Sequence, residues 1–158
     1  MNAIFICKSQ FSCSVETLFD FHESSSGFET LVTGAKGVKV LQKPGSIQKG
    51  EIAIFKITLF PGISVIWEAH HTDYEKNKFF EDTQKKGPFR FFRHRHLFFP
   101  KENESILEDR IEFDFPVLAL SKYPIQLQLR AQFLERHKLT ANFLKGKWTN
   151  LHCGLSEQ

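Results

Sequence analysis

The segment IWEAHHTDYEKNKFFEDTQKKGPFRFFRHRHLFF, residues 66–99, decides the fold. Its β-branched and aromatic runs are interrupted by two polar turns, at residues 75–78 and 85–88. Short apolar runs separated by turn residues predict consecutive hairpins, and consecutive hairpins form an antiparallel sheet. The same pattern continues on both sides of the segment. We therefore predict strands over residues 3–13, 38–42, 51–60, 63–74, 79–84, 89–99 and 106–115.

Helical segments accompany these strands. Ser14 is a predicted N-cap for a short helix, and residues 27–33 predict a second one. Apolar residues recur at roughly helical spacing over residues 124–148, and Pro124 suits a first helical turn. The prediction is an α+β fold with an antiparallel sheet of about seven strands, two short helices after the first strand and a long C-terminal helix. The 158 residues favour a single domain, residues 1–158.

The alternation of side chains along the strands indicates which residues face the helix. Arg93 and Arg95 are costly to bury, so they should face solvent, and this turns His94 and His96 inward. A hairpin about residues 100–105 could place Asp109 opposite His96 on that inner face. By hairpin register, the same face carries Phe80, Asp82 and Gln84.

Composition and charge narrow the possible partners. The chain has 18 Phe residues, which need no hydrogen-bond partner when buried and suit either a dry core or an apolar cavity. The net charge of +3 is too small to indicate nucleic acid, and the basic run at residues 85–95 is typical of a solvated strand face. Three cysteines without disulfide or zinc spacing favour reduced thiols and a cytoplasmic location. No signal peptide and no membrane span are predicted.

The segments SVETLFDFHE (residues 14–23), 66–99 and EDRIEFDFP (residues 108–116) together resemble the SRPBCC superfamily. These helix-grip proteins include birch-pollen allergens, START lipid-transfer domains and aromatic polyketide cyclases, and the chain is most similar to the bacterial ligand-binding SRPBCC domain proteins. The resemblance rests on Trp67, on F-x-D-x-Q at residues 80–84, on G-P-F at residues 87–89 and on H-x-H at residues 94–96. It implies a curved sheet that wraps the long helix around a ligand cavity, and no particular reaction.

Three functional interpretations follow. The first is a non-enzymatic module that binds a small hydrophobic or aromatic molecule, with His94 and His96 as polar anchors. The second is an enzyme of the cyclase, dehydratase or hydrolase kind, in which Asp109 tunes His96 as an acid/base group. The third is an interaction protein whose own Phe side chains fill the cavity. The predicted ligand-binding set is Phe55, Trp67, Phe80, Asp82, Gln84, Phe92, His94, His96, Phe98, Ile111, Phe113 and Phe133.

Metal binding is the least favoured role for the two histidines. Side chains two apart on a strand can converge on one ion, but a catalytic zinc site needs a third protein ligand. No third histidine is evident, since His71 is predicted to lie two strands away. We therefore expect no metal and no cofactor, a small hydrophobic molecule as the partner, and a monomer or weak homodimer.

Overall fold

The computed structural model describes residues 2–156, apart from the side chains of residues 59, 60, 118 and 119. The described chain forms eight strands and three helices. In chain order these are β1 (Ala3–Phe11), α1 (Val15–Glu23), α2 (Ser25–Thr33), β2 (Val38–Gln42), β3 (Ile52–Phe60), β4 (Ile63–Glu75), β5 (Phe79–Lys86), β6 (Phe91–Lys101), β7 (Glu104–Asp114), α3 (Leu118–Phe143) and β8 (Trp148–Leu155).

The strands form a single sheet in the order β2-β3-β4-β5-β6-β7-β1-β8. Every neighbouring pair is antiparallel, so the predicted run of hairpins from β2 to β7 is confirmed. α3 packs against β1, β8 and α2. The predicted α+β helix-grip architecture is therefore present, with one strand more than the expected seven.

The additional strand, β8, corrects the predicted end of the long helix. The sequence prediction extends the helix to residue 148, whereas α3 ends at Phe143 and the chain turns at Lys145, whose φ is 51°. β8 then pairs with β1 from Phe11 opposite Trp148 to Phe5 opposite Leu155. Only two β8 residues are buried, Cys153 and Gly154, so the strand lacks the apolar alternation that sequence analysis detects.

The start of α3 is corrected as well. The helix begins at Leu118, so Pro124 lies inside it rather than in its first turn. Proline is unfavourable in a helix interior because it lacks an N–H donor. The first turns also lack an amphipathic pattern, since Leu120 and Tyr123 are both exposed. Neither propensity nor periodicity therefore indicates this part of the helix.

Two apolar clusters form the core. One joins α1 to the sheet and includes Phe11, Leu18, Phe19, Phe80 and Phe98. The other lies under α3 and consists of Phe5, Cys7, Phe92, Ile111, Phe113, Leu129, Phe133 and Cys153. As predicted, Ser14 caps α1, and its side chain accepts a hydrogen bond from the Thr17 amide. Within residues 2–156, no helix is both long and apolar enough to cross a membrane.

Candidate functional site

A cluster of titratable side chains lies on the inner face of β5, β6 and β7. The β5–β6 register places Asp82 opposite His94, and the β6–β7 register places Asp109 opposite His96. The predicted inward orientation of both histidines is confirmed, because both are buried while Arg93 is exposed. The predicted pairing of Asp109 with His96 is also confirmed.

Asp109 is the centre of the cluster and is only 2% exposed. Its Oδ1 accepts a 2.8 Å hydrogen bond from Nε2 of His94, and its Oδ2 accepts a 2.7 Å bond from Nε2 of His137. His137 belongs to α3, and its Nδ1 lies 2.8 Å from Oγ of Ser9 on β1. The carboxylate thus joins the sheet to the long helix. Sequence analysis did not assign His137 to the site, although it follows Phe133 by four residues and so lies on the same helix face.

His96 is held differently. Its Nδ1 is 2.8 Å from Oδ1 of Asp109, yet the ring is not oriented for a hydrogen bond, and this nitrogen has no hydrogen-bond partner in the described chain. Phe80 stacks on the imidazole with 3.9 Å between ring centroids and 15° between planes. The rings of His94 and His96 are themselves only 3.8 Å apart. Packing, rather than hydrogen bonding, therefore sets the orientation of His96.

Asp82 faces both histidines from the neighbouring strand. Its Oδ2 is 3.7 Å from Nδ1 of His94 and 3.7 Å from Nε2 of His96. These separations are too long for hydrogen bonds, which need about 3.2 Å or less between nitrogen and oxygen. The two imidazoles and the carboxylate therefore converge on a common point without hydrogen-bonding one another.

Burial and the attraction between carboxylates and imidazoles have opposite effects on the pKa values in the cluster. Burial acts to raise the pKa of Asp109, but His96, His137 and His94 outweigh it and hold that pKa well below its usual value. Burial acts to lower the pKa of His96, but Asp109 and Asp82 outweigh it, so the pKa is raised. Desolvation prevails at His94, whose pKa is lowered. The cluster thus keeps an ionised carboxylate in the interior by surrounding it with imidazoles.

A cationic side chain lies close by on α3. The guanidinium of Arg136 lies over the ring of Phe133, 5.5 Å from its centroid. Burial lowers its pKa, while the charges of Asp109 and Asp82 act to raise it. Within the described chain the guanidinium forms no hydrogen bond and no ion pair. Arg136 therefore does not pair with Asp82.

Trp67 and Phe55 are the predicted wall residues that stay partly exposed. Trp67 meets the edge of Phe92 at 4.8 Å and of Phe89 at 5.7 Å between ring centroids. Phe55 stacks on Phe28 of α2 at 6.3 Å. The remaining predicted aromatic and aliphatic walls are buried in the two core clusters, namely Phe80, Phe92, Phe98, Ile111, Phe113 and Phe133.

Gln84 is engaged within its own hairpin. Its amide nitrogen donates a 2.8 Å hydrogen bond to the Phe89 carbonyl, and its carbonyl accepts a longer one from the Phe89 amide. Gln84 therefore closes the turn between β5 and β6. Its polar groups are already satisfied at that turn.

The inner face of β3 and β4 carries apolar side chains that are only partly covered. Phe55, Ile57, Val65 and Trp67 all point inward there and are only half-buried. The N-terminal half of α3 leaves Leu120 77% exposed and Leu127 68% exposed. A separate groove of about 520 Å³ lies between α2 and α3 and is lined by Ser26, Glu29, Thr30, Thr33, Gly34 and Leu139. None of the predicted ligand-binding residues lines that groove.

The fold is shared with solved structures of low sequence identity. The ARO/CYC di-domain protein StfQ of the steffimycin biosynthetic pathway aligns with a TM-score of 0.71 and 10% identity, over 92% of this chain and 51% of that one. Norcoclaurine synthase from Thalictrum flavum, in complex with dopamine and hydroxybenzaldehyde, aligns with a TM-score of 0.68 and 9% identity. The alignment covers 92% of this chain and 88% of that one. The protein TTHA0849 from Thermus thermophilus aligns with a TM-score of 0.66 and 12% identity, over 88% of this chain and 94% of that one.

Sequence comparisons give no relative. No family model matches the chain. No curated protein matches it either. The structural likeness nevertheless agrees with the resemblance drawn from residues 14–23, 66–99 and 108–116. This chain has the helix-grip fold of the SRPBCC proteins.

Proposed function

We propose that this protein binds a small hydrophobic or aromatic molecule in the cleft between α3 and the inner face of β3 and β4. The observation that carries the proposal is the half-buried state of Phe55 and Trp67. Both side chains point to the inner face of the sheet, yet α3 packs against β1 and β8 at the other end of that sheet. An apolar concave surface with a few convergent polar groups is the usual form of a small-molecule site.

The polar groups in this proposal are Asp82, His94 and His96. Asp82 is the most accessible of them, with 16% of its side chain exposed against 8% and 5% for the histidines. It pairs with His71 of β4 in register, so the inward-facing residues of β4 lead from Trp67 to this cluster. A ligand with an apolar ring against Trp67 and a polar substituent toward Asp82 fits this arrangement.

The fold comparison supports an aromatic ligand by analogy. Norcoclaurine synthase was solved with two aromatic compounds, dopamine and hydroxybenzaldehyde. StfQ is described as an ARO/CYC protein. Fold likeness does not transfer a reaction, so the analogy concerns the place where a ligand binds and not what happens to it.

An enzyme that uses His96 and Asp109 is the second candidate, and the raised pKa of His96 favours it. In such an enzyme Asp109 would position a histidine rather than contact the ligand, because it is almost fully buried beneath three imidazoles. The third interpretation, a cavity filled by Phe side chains, predicts that no apolar probe binds to the cleft. The experiment below separates that interpretation from the first two.

The chain contains two tryptophans, so Trp148→Phe leaves Trp67 as the reporter. We expect 1-anilinonaphthalene-8-sulfonate to bind saturably to this variant and to quench Trp67 by energy transfer. Adding Phe55→Ala should weaken binding by about 10-fold or more, since a buried Phe contributes about 1.5–3 kcal/mol. Phe79→Ala is the matched control, because Phe79 lies on the opposite face of the sheet. Absence of saturable binding, or equal losses in both variants, would contradict the proposal.

A further inference from the structure

We propose that Asp82, His94 and His96 bind a divalent first-row transition-metal ion, with Zn²⁺ as the representative. One ligand atom from each side chain lies within 4.8 Å of the others. The proposal reverses the expectation of no metal, whose reason was the lack of a third ligand. Asp82 is that ligand, and it comes from the neighbouring strand. The proposal does not depend on a ligand in the cleft.

The distances suit one shared ion. Nδ1 of His94 and Nε2 of His96 are each 3.7 Å from Oδ2 of Asp82. Zinc bonds to imidazole nitrogen and carboxylate oxygen are about 2.0–2.2 Å, so tetrahedral ligand atoms lie about 3.4 Å apart. The two nitrogen–oxygen separations therefore exceed the tetrahedral spacing by about 0.3 Å, and the two nitrogens lie within 4.8 Å of each other. Two histidines with one carboxylate is also a common donor set for such metals.

The second nitrogen of each histidine also fits a metal site. Metal-bound histidines usually place their other ring nitrogen against a carboxylate, which sets the ring orientation and increases the basicity of the ligand. Here Nε2 of His94 donates to Asp109, and Nδ1 of His96 lies 2.8 Å from the same carboxylate oxygen. The buried Asp109 carboxylate thus orients His94 by a hydrogen bond and lies beside the second nitrogen of His96. His137 anchors that carboxylate from α3.

Two further polar groups at this place lack hydrogen-bond partners in the described chain. Asp82 makes no hydrogen bond with any described residue, although only 16% of its side chain is exposed. His71 lies opposite Asp82 on β4, is 8% exposed, and its Nδ1 has no hydrogen-bond partner in the described chain. A carboxylate and an imidazole nitrogen without hydrogen bonds are both unfavourable in an interior. A dication would compensate the charges of Asp82 and Asp109, and His71 adjoins the site from the neighbouring strand.

The test uses the whole chain, freed of metal with a chelator. Titration with Zn²⁺ in a calorimeter should show one equivalent bound, and Co²⁺ should produce the visible absorption bands of a low-symmetry nitrogen and oxygen site. Asp82→Asn is the decisive variant, because it removes the negative charge of the ligand without breaking a hydrogen bond in the structure. We expect it to weaken Zn²⁺ binding by at least about 10-fold. His94→Gln should also weaken binding, and near-ultraviolet circular dichroism would verify that each variant is folded.

Two controls exclude other metal-binding groups. His152 is exposed on β8, so His152→Gln should leave the affinity unchanged. Cys153→Ser should also leave it unchanged, because the thiol pair of Cys7 and Cys153 lies outside the proposed site. The proposal is overturned if the folded protein binds neither ion, if Asp82→Asn binds as tightly as the original chain, or if either control abolishes binding.

Discussion

Removal of the Asp109 carboxylate tests whether its hydrogen bonds to His94 and His137 stabilise the fold. Asp109 accepts hydrogen bonds from His94 and His137 and thereby joins β6 to α3. Asp109→Ala deletes both acceptors, whereas Asp109→Asn keeps one oxygen and removes the charge. The two variants in the metal-free protein separate the contribution of the charge from the contribution of the hydrogen bonds.

The magnitude follows from the two bonds. A hydrogen bond to a charged group contributes about 1.5–3 kcal/mol, and breaking a buried charged pair costs about 3–5 kcal/mol in total. We therefore expect Asp109→Ala to lower the free energy of unfolding by about 3–5 kcal/mol. Asp109→Asn should cost less, about 1–3 kcal/mol. Its amide can donate to Nε2 of His137 if the His137 proton moves to Nδ1, where Ser9 can accept it.

Urea unfolding, followed by tryptophan fluorescence at neutral pH with a chelator present, measures both values. The midpoint should fall without a change in the slope of the transition, since the surface exposed on unfolding is unchanged. Asp114→Asn is the matched control on the same strand. Asp114 faces the other side of β7, and its replacement should change stability by about 0.5 kcal/mol or less.

Two results would refute this reasoning. If Asp109→Ala costs less than about 1 kcal/mol, the carboxylate is not the centre of a satisfied network. If Asp109→Asn is as destabilising as Asp109→Ala, the oxygen that it retains contributes nothing. In either case the hydrogen bonds to His94 and His137 would not describe the protein in solution.

Two further predictions concern other buried groups. Burial lowers the pKa of His22 to about 3, so the folded state binds fewer protons than the unfolded state. The contribution of His22 to stability should therefore be full above about pH 6.5 and should fall toward pH 3. His22→Gln should make the urea midpoint fall less steeply over this range. An equally steep fall in the variant would contradict the lowered pKa of His22. The groups whose charges act on His22 from other elements are His96, Asp109 and Arg136. The Sγ atoms of Cys7 and Cys153 lie 2.6 Å apart on paired strands, so the oxidant diamide should take up their two hydrogens and leave an intramolecular disulfide. Mass spectrometry should show the loss of two hydrogens in the original chain and no loss in Cys153→Ser. An unchanged mass of the original chain would show that the two thiols do not meet.

Much of the cluster could be predicted because it depends on local patterns. The alternation of Arg93, His94, Arg95 and His96 has the period of a strand, and the cost of burying arginine decides which face is which. The short connection between β6 and β7 then sets their register, which brings Asp109 opposite His96. Strands β1 to β7 and both short helices follow from turn residues and caps in the same way.

The missed elements depend on contacts between distant parts of the chain. β8 is stabilised by pairing with β1, more than a hundred residues away, and its own residues are mostly exposed. His137 enters the site only because α3 packs on the sheet, where Ser9 of β1 and Asp109 of β7 meet its ring. The start of α3 was missed because Pro124 and an exposed first turn oppose helix prediction.

The sequence by itself determined the run of hairpins from β2 to β7, the inward side of β5, β6 and β7, and the presence of histidines and carboxylates on one face. Periodicity and turn chemistry are local, so they can be recognised without the fold. Only the tertiary structure decided that Asp82 stands 3.7 Å from two imidazole nitrogens, that Asp109 bonds to the long helix, and that Trp67 is only half-buried. These facts depend on strand register, side-chain rotamers and the place where α3 docks, which are set by packing across the whole chain.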